Sequence, residues 1–160
     1  MTVVSNTGSL IALAKVDQLA LLERLFGRVH IPAMVHRELL AKVGPEAVRL
    51  DQALATFITV MDRPQLSTEV EAMTRRLDAG EQEAIALAHT MGALLLMDDR
   101  LGRQAARRLN VALTGTVGLL IRAEELGLVP RAEPILEEMR LHGYWLSDEL
   151  LARARRGKPQ

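Results

Sequence analysis

The sequence predicts an α/β fold: a three-layer α/β/α sandwich around a mostly parallel sheet of about five strands. Three observations lead there. Brief apolar runs alternate with longer stretches of helical periodicity along nearly the whole chain. The brief runs are continuously apolar rather than alternating, as expected of strands covered on both faces. The punctuation agrees: Pro32 and Pro45 stand where a helix's first turn tolerates proline, and Gly44, Gly92 and Gly127 stand just past helix ends. Repeated β and α units close into a parallel sheet with right-handed crossovers and helices on both faces.

Taken in order, the expected strands are Thr2 to Ser5, Arg28 to Ile31, Thr56 to Val60, Ala93 to Met97 and Val111 to Thr114. The expected helices are Leu10 to Val16 with Gln18 to Phe26, Ala33 to Lys42, Pro45 to Ala55, Thr68 to Leu77, Glu81 to Met91, Leu101 to Leu109 and Thr116 to Leu126. Arg131 to His142 and Asp148 to Arg156 follow. At 160 residues, with no repeat, low-complexity tract or dividing linker, the chain reads as a single domain over residues 1–160. Residues 151–160, basic from Arg153 to Lys158, are expected to fray.

Composition removes several classes of function. The chain has no cysteine, which excludes disulfides, thiol nucleophiles and thiolate metal sites. No basic segment precedes an apolar run at the N-terminus, and no apolar run is long enough to span a bilayer, so a cytoplasmic protein without membrane contact is expected. Twenty basic and 20 acidic residues cancel, so any hold on nucleic acid must come from a local patch. Phe26, Phe57, Tyr144 and Trp145 are the only aromatics, too few for a sheet surface that stacks bases. Tyr144 and Trp145 are expected to anchor a core or an interface. The four histidines lack ligand spacing, and neither a phosphate-binding glycine loop nor a nucleophile elbow is present.

Ligands of such sheets bind beyond the carboxyl ends of the strands. The first strand ends in Ser5-Asn6-Thr7-Gly8 and the fourth in Met97-Asp98-Asp99-Arg100. If those strands are neighbours, Asn6 and the Asp98/Asp99 pair face one crevice. Helical geometry adds two more acids. Ile85 and Ala88 lie within about 40° of Glu81 around the helix axis, which puts Glu81 on the buried stripe, while Glu83 falls about 200° away on the far face. Glu38 lies within about 60° of Met34 and Val35 and borders an apolar stripe. Oxygen ligands without cysteine or clustered histidine suit a hard cation, Mg²⁺ or Mn²⁺. Each residue has a plainer reading as well: Asn6, Asp98 and Asp99 can cap helices, and a helix dipole favours Glu81 in a first turn.

Several segments resemble the PIN domains. Ser5-Asn6-Thr7-Gly8-Ser9-Leu10-Ile11-Ala12-Leu13 resembles their opening, Asp78-Ala79-Gly80-Glu81-Gln82-Glu83-Ala84-Ile85-Ala86-Leu87-Ala88 their third acidic motif, and Leu94-Leu95-Leu96-Met97-Asp98-Asp99-Arg100 their fourth. Thr114-Gly115-Thr116-Val117-Gly118-Leu119-Leu120 and Tyr144-Trp145-Leu146-Ser147-Asp148-Glu149-Leu150 are similar to one prokaryotic branch related to VapC-type toxins. The likeness spans roughly residues 2 to 150. It implies a metal-dependent ribonuclease, often a dimeric toxin held by a small antitoxin-like protein. By position, Asn6 takes the place of the first acid, Glu38 the second, Glu81 the third and Asp98 or Asp99 the fourth. Asn6 departs from the family pattern, since an amide can ligate a hard cation but brings no negative charge.

Arg100, Arg103 and Arg107 fall within about 60° of one another on the helix after Asp99, a stripe suited to an RNA phosphate backbone. Thr116, opening a later helix, joins them as a candidate nucleic-acid contact.

Overall fold

β1 (Val3–Ser5) lies at the centre of a five-stranded, all-parallel sheet in the computed structural model, which describes residues 1–156. Beside it on one side come β2 (Val29–Pro32) and β3 (Ile58–Met61); on the other come β4 (Leu94–Leu96) and β5 (Leu113–Thr114). The order is β3-β2-β1-β4-β5, with Val3 opposite both Val29 and Leu94. The chain therefore moves outward from β1 through β2 to β3, then returns to start the other half at β4. That reversal opens a crevice between the carboxyl ends of β1 and β4.

Ten helices cover the two faces among the described residues: α1 (Thr7–Lys15), α2 (Ala20–Phe26), α3 (Ala33–Leu40), α4 (Pro45–Thr56), α5 (Thr68–Thr74), α6 (Ala79–Met91), α7 (Arg100–Arg108), α8 (Thr116–Glu125), α9 (Ala132–Leu141) and α10 (Asp148–Arg156). Alternating strand residues divide the core between two layers. Val3, Val29, Ile31 and Leu96 pack with α1, α2, α4, α8 and α9. Val4, Leu95 and Met97 pack with α5, α6 and α7. Every expected strand and helix is present, with ends moved by a few residues. The start of α1 moves from Leu10 to Thr7 because the Asn6 side chain caps it, and the end of α5 moves equally far, from Leu77 to Thr74. The tail also differs from expectation: α10 continues to Arg156 with Leu151 and Ala154 buried, because they face the α8–α9 layer. The remainder of the expected frayed tail, residues 157–160, lies outside the described residues. No helix among the described residues is long and apolar enough to cross a membrane.

One side-chain orientation is opposite to that expected. Glu83 is 3% exposed, its Oε1 accepting the Met34 backbone N–H at 3.1 Å and its Oε2 pairing with Arg63 at 3.2 Å. Periodicity alone implies a solvent face for α6. Instead α6 packs against α3, α5, α7 and three strands, so even its far side needs a partner for any charge it carries. Glu83 finds one in the free N–H at the start of α3.

Candidate functional site

At four helix starts around the crevice, a side-chain oxygen takes up a free backbone N–H. Asn6 Oδ1 accepts from Ser9 N at 3.4 Å to cap α1, and Asp78 Oδ1 accepts from Glu81 N at 2.8 Å to cap α6. Asp99 Oδ2 accepts from Gly102 N at 2.7 Å to cap α7, and Asp98 Oδ1 accepts from Thr116 N at 2.7 Å at the start of α8. Each such cap stabilises its helix by about 1 kcal/mol, and the acids sit at the positive ends of the helix dipoles. The plainer reading as caps is therefore correct for Asn6 and Asp99, whereas Asp98 serves α8 rather than the helix opened by Arg100, and neither task competes with a role in a site.

The same residues line one pocket of about 270 Å³, formed by Asn6, Thr7, Gly8, Ser9, Glu38, Asp78, Glu81, Asp98, Asp99 and Tyr144. All five acidic-constellation candidates, Asn6, Glu38, Glu81, Asp98 and Asp99, meet there from four separate stretches of chain. Glu38 is half-buried on α3, and its Oε1 accepts the Thr7 hydroxyl at 2.8 Å. The helices α3 and α6 approach so closely at this point that a Cβ on Gly80 would collide with Glu38 Oε1. Glycine at position 80 is what lets Glu38 reach the pocket.

Asp98 and Asp99 differ in their commitments. Asp98 is half-buried, and its carboxylate takes the Thr116 N–H, the Thr116 hydroxyl and the Ser9 hydroxyl, the last at 3.0 Å. Gly115 supplies the space, since a Cβ there would meet Asp98 Oδ1 at 2.8 Å. Asp99 is exposed and has only its Oδ2 engaged, leaving Oδ1 free to face the pocket. Burial of Glu81, followed by the negative charges of Asp78 and Asp99, pushes the Glu81 carboxyl up to about 7. Burial and the adjacent Asp98 carboxylate raise the Tyr144 phenol well beyond its usual range, so it stays a neutral hydroxyl.

The basic candidates divide. Arg100 and Arg107 are exposed on α7. Arg103 turns inward: it donates to the Met97 carbonyl at 2.8 Å, and burial together with Arg107 lowers its pKa from the usual guanidinium value. Thr116 is fully buried with both of its donors on Asp98, so it faces the protein interior and not a ligand. Its chemistry is spent on orienting an acid. Of the two C-terminal aromatics, Tyr144 lines the pocket and packs on the core, while Trp145 is 78% exposed and anchors no part of it.

Sequence reasoning passed over Thr7, Ser9, Asp78 and Tyr144. Ser9 and Asp78 carried a usable signal. Ser9 stands three residues after the capping Asn6, on the same turn, and Asp78 stands three before Glu81 in a helix-opening pattern. Tyr144 had none, because a contact between residues 46 positions apart is set by how α9 and α10 pack.

The donors suit a hard divalent cation in kind, being oxygens only, and in electrostatics, since burial and then the like charges of Asp78 and Asp99 disfavour the Glu81 carboxylate in the cation's absence. As they stand, no three carboxylates or histidines among the described residues lie close enough to share an ion. A subset with coordinated water is the arrangement this set can offer.

An oxygen-lined, acidic pocket at the reversal point of a five-stranded parallel sheet defines an α/β protein with a site suited to a hard cation. A family model described as DUF3368, a PIN domain, matches residues 2–157, and the chain belongs to that family. PIN domains generally use divalent metal ions. No curated protein matches the chain.

Proposed function

We propose that the chain is a Mg²⁺- or Mn²⁺-dependent endoribonuclease that hydrolyses phosphodiester bonds in single-stranded RNA. The observation that carries this reading is the convergence of Asn6, Glu38, Glu81, Asp98 and Asp99 on one pocket at the carboxyl edge of the sheet. Asp99 and Glu81 would hold the ion, with Asp98 and Asn6 contributing directly or through water and Glu38 at the margin. When bound, the ion supplies an activated water and neutralises charge developing on the phosphate. The chain's own groups prepare the place. Ser9 and Thr116 fix the Asp98 carboxylate, Thr7 fixes Glu38, and the N-termini of α1, α6 and α7 favour negative charge at the pocket.

In the cell, the reading extends to a cytoplasmic toxin of a toxin–antitoxin pair, of the VapC-related kind, working as a homodimer and restrained by a small antitoxin-like protein. Exposed Leu40, Val43 and Val48 at the α3–α4 corner support a partner surface. Digestion of labelled single-stranded RNA and DNA side by side, with Mg²⁺, Mn²⁺ or chelator, tests the activity. The expected result is ion-dependent RNA cleavage that is lost in Asp99→Asn and Glu81→Gln. Cleavage that survives chelation and both substitutions would refute it.

One observation favours a second reading, a PIN-like module that binds nucleic acid or a partner with little or no turnover. Asn6 replaces the first acid, and its Oδ1 faces the Ser9 N–H. Here RNA binds but is not cut with any ion, and Asn6→Asp restores cleavage.

A further inference from the structure

A second concavity adjoins the acidic pocket and has no part in it. It lies between α5 and α7, encloses about 520 Å³, and is rimmed by Arg75, Arg76 and Arg108 over a floor that includes Met73, Leu77 and Leu101. All three arginines are exposed, and none has a carboxylate within ion-pairing distance among the described residues. Met73 is 38% exposed and Leu101 53%, so the apolar floor is open to solvent. The two concavities are lined by neighbouring residues of the same two segments of chain. Leu77 directly precedes Asp78, and Leu101 follows Asp99 by two residues. At about 1.5 Å per helical residue, Arg108 stands roughly 13 Å along α7 from Asp99.

We propose that this α5–α7 groove is the track along which a single-stranded RNA backbone runs into the acidic pocket. The inference rests on the ribonuclease reading above and names its binding surface. Arginine at a helix C-terminus is favoured by the dipole, which accounts for charge at Arg75 and Arg108 singly. It does not account for three unpaired guanidinium groups ringing one concavity in a chain whose 20 basic and 20 acidic residues cancel. Guanidinium forks match phosphate oxygens, and the exposed Met73 and Leu101, with the half-buried Leu77 between them and the core, match the apolar faces of ribose and base. A lone inorganic anion would leave that floor wet. Of the α7 stripe expected from periodicity, Arg103 is turned inward, while Arg100 and Arg107 stay exposed beside the track.

The test uses the full chain and a short, labelled 2′-O-methyl RNA, which cannot be cut, followed by fluorescence anisotropy in chelator across a salt series. Each phosphate contact to a single strand contributes about 0.7 to the slope of log affinity against log salt. Substituting all three groove arginines (R75A/R76A/R108A) should therefore lower the slope by about 2 and weaken binding about a hundredfold near 0.1 M salt. A triple variant at the opposite edge of the sheet, R24A/R28A/R122A, removes equal charge and should bind within about threefold of wild type. Lysine at the three groove positions should retain most of the slope. Wild-type affinity in the groove variant, equal losses in the two triple variants, or no binding by the wild type each overturns the proposal; the first of these leaves the groove to an acidic protein partner. Cleavage of unmodified RNA with Mn²⁺ is scored separately. Binding through the groove without cleavage removes the nuclease reading and leaves the track standing, whereas cleavage by a groove variant with unchanged KM removes the track alone.

Discussion

Glu81→Gln should make the protein more stable at alkaline pH while removing its response to divalent ions. Glu81 sits between Asp78 and Asp99 in a partly buried pocket, and its carboxyl is pushed from 4.5 up to about 7. Below the lower value the group is neutral in the folded and unfolded chains alike, and it costs nothing. As pH rises, the unfolded chain ionises first, so the folded state loses stability progressively through about 7 and carries the full penalty by about pH 8. A displacement of that size corresponds to roughly 3 kcal/mol. Glu81 is only part-buried at an open pocket, and solvent screening reduces the expected penalty to about 1–2 kcal/mol. For a chain of this length, that is a rise in Tm of about 3–6 °C for the glutamine variant near pH 8, shrinking to about zero near pH 4.5. Thermal melts at both pH values measure it. In the same experiment Mn²⁺ should raise the wild-type Tm near pH 8, by the linkage of binding to folding, and raise that of the variant much less. A glutamine variant with wild-type or lower stability near pH 8, or with an undiminished Mn²⁺ response, would refute the claim that like-charge crowding at Glu81 is relieved by a cation.

Gly80→Ala should cost about 1 kcal/mol by displacing the flexible end of Glu38 from the Thr7 hydroxyl, and in a Glu38→Ala background it should cost close to nothing in a urea-denaturation cycle; additive losses would contradict the close approach. Glu83→Ala should destabilise by about 1–3 kcal/mol, because the Met34 N–H at the start of α3 is then left buried without its acceptor, whereas Arg63→Ala, at an exposed position, should cost under about 1 kcal/mol. Asn6→Asp should tighten Mn²⁺ binding, read as a larger ion-induced Tm shift, while lowering Tm in chelator by adding charge to a crowded pocket; unchanged ion affinity would sink the idea that the amide weakens the site.

The architecture was legible because it depends on local, repeated features. Continuous apolar runs such as Leu94 to Met97 mark strands buried on both faces, and the cap and glycine signals mark where helices stop. The site was partly legible for the same reason: a doubly wound topology delivers residues after β1 and β4 to one crevice, whatever their separation in sequence. Orientation around a helix was less readable. The apolar stripe of α6 sets Glu81 towards the core and Glu83 away from it, yet Glu83 is the more buried, because an apolar count along one helix does not reveal that helices pack on its other sides. Arg103 and Thr116 fail in a related way. Their residue types suit phosphate, but the nearest acceptors, the Met97 carbonyl and the Asp98 carboxylate, are within the protein and claim them first. The α5–α7 groove was invisible because Arg75 and Arg76, in the turn that ends α5, meet Arg108 of α7 only through folding.

The four side chains that start helices at the crevice impose a bias on how this protein can drift. Replacing any of them by an apolar residue would unfasten a helix end as well as alter the pocket. Exchange between aspartate and asparagine keeps the accepting oxygen and changes only the charge. Asn6 has that form already, still fastened to Ser9 N. Activity in such a molecule can be dialled up or silenced one elementary charge at a time while the scaffold stays intact, so an inert descendant and an active one would be nearly superimposable.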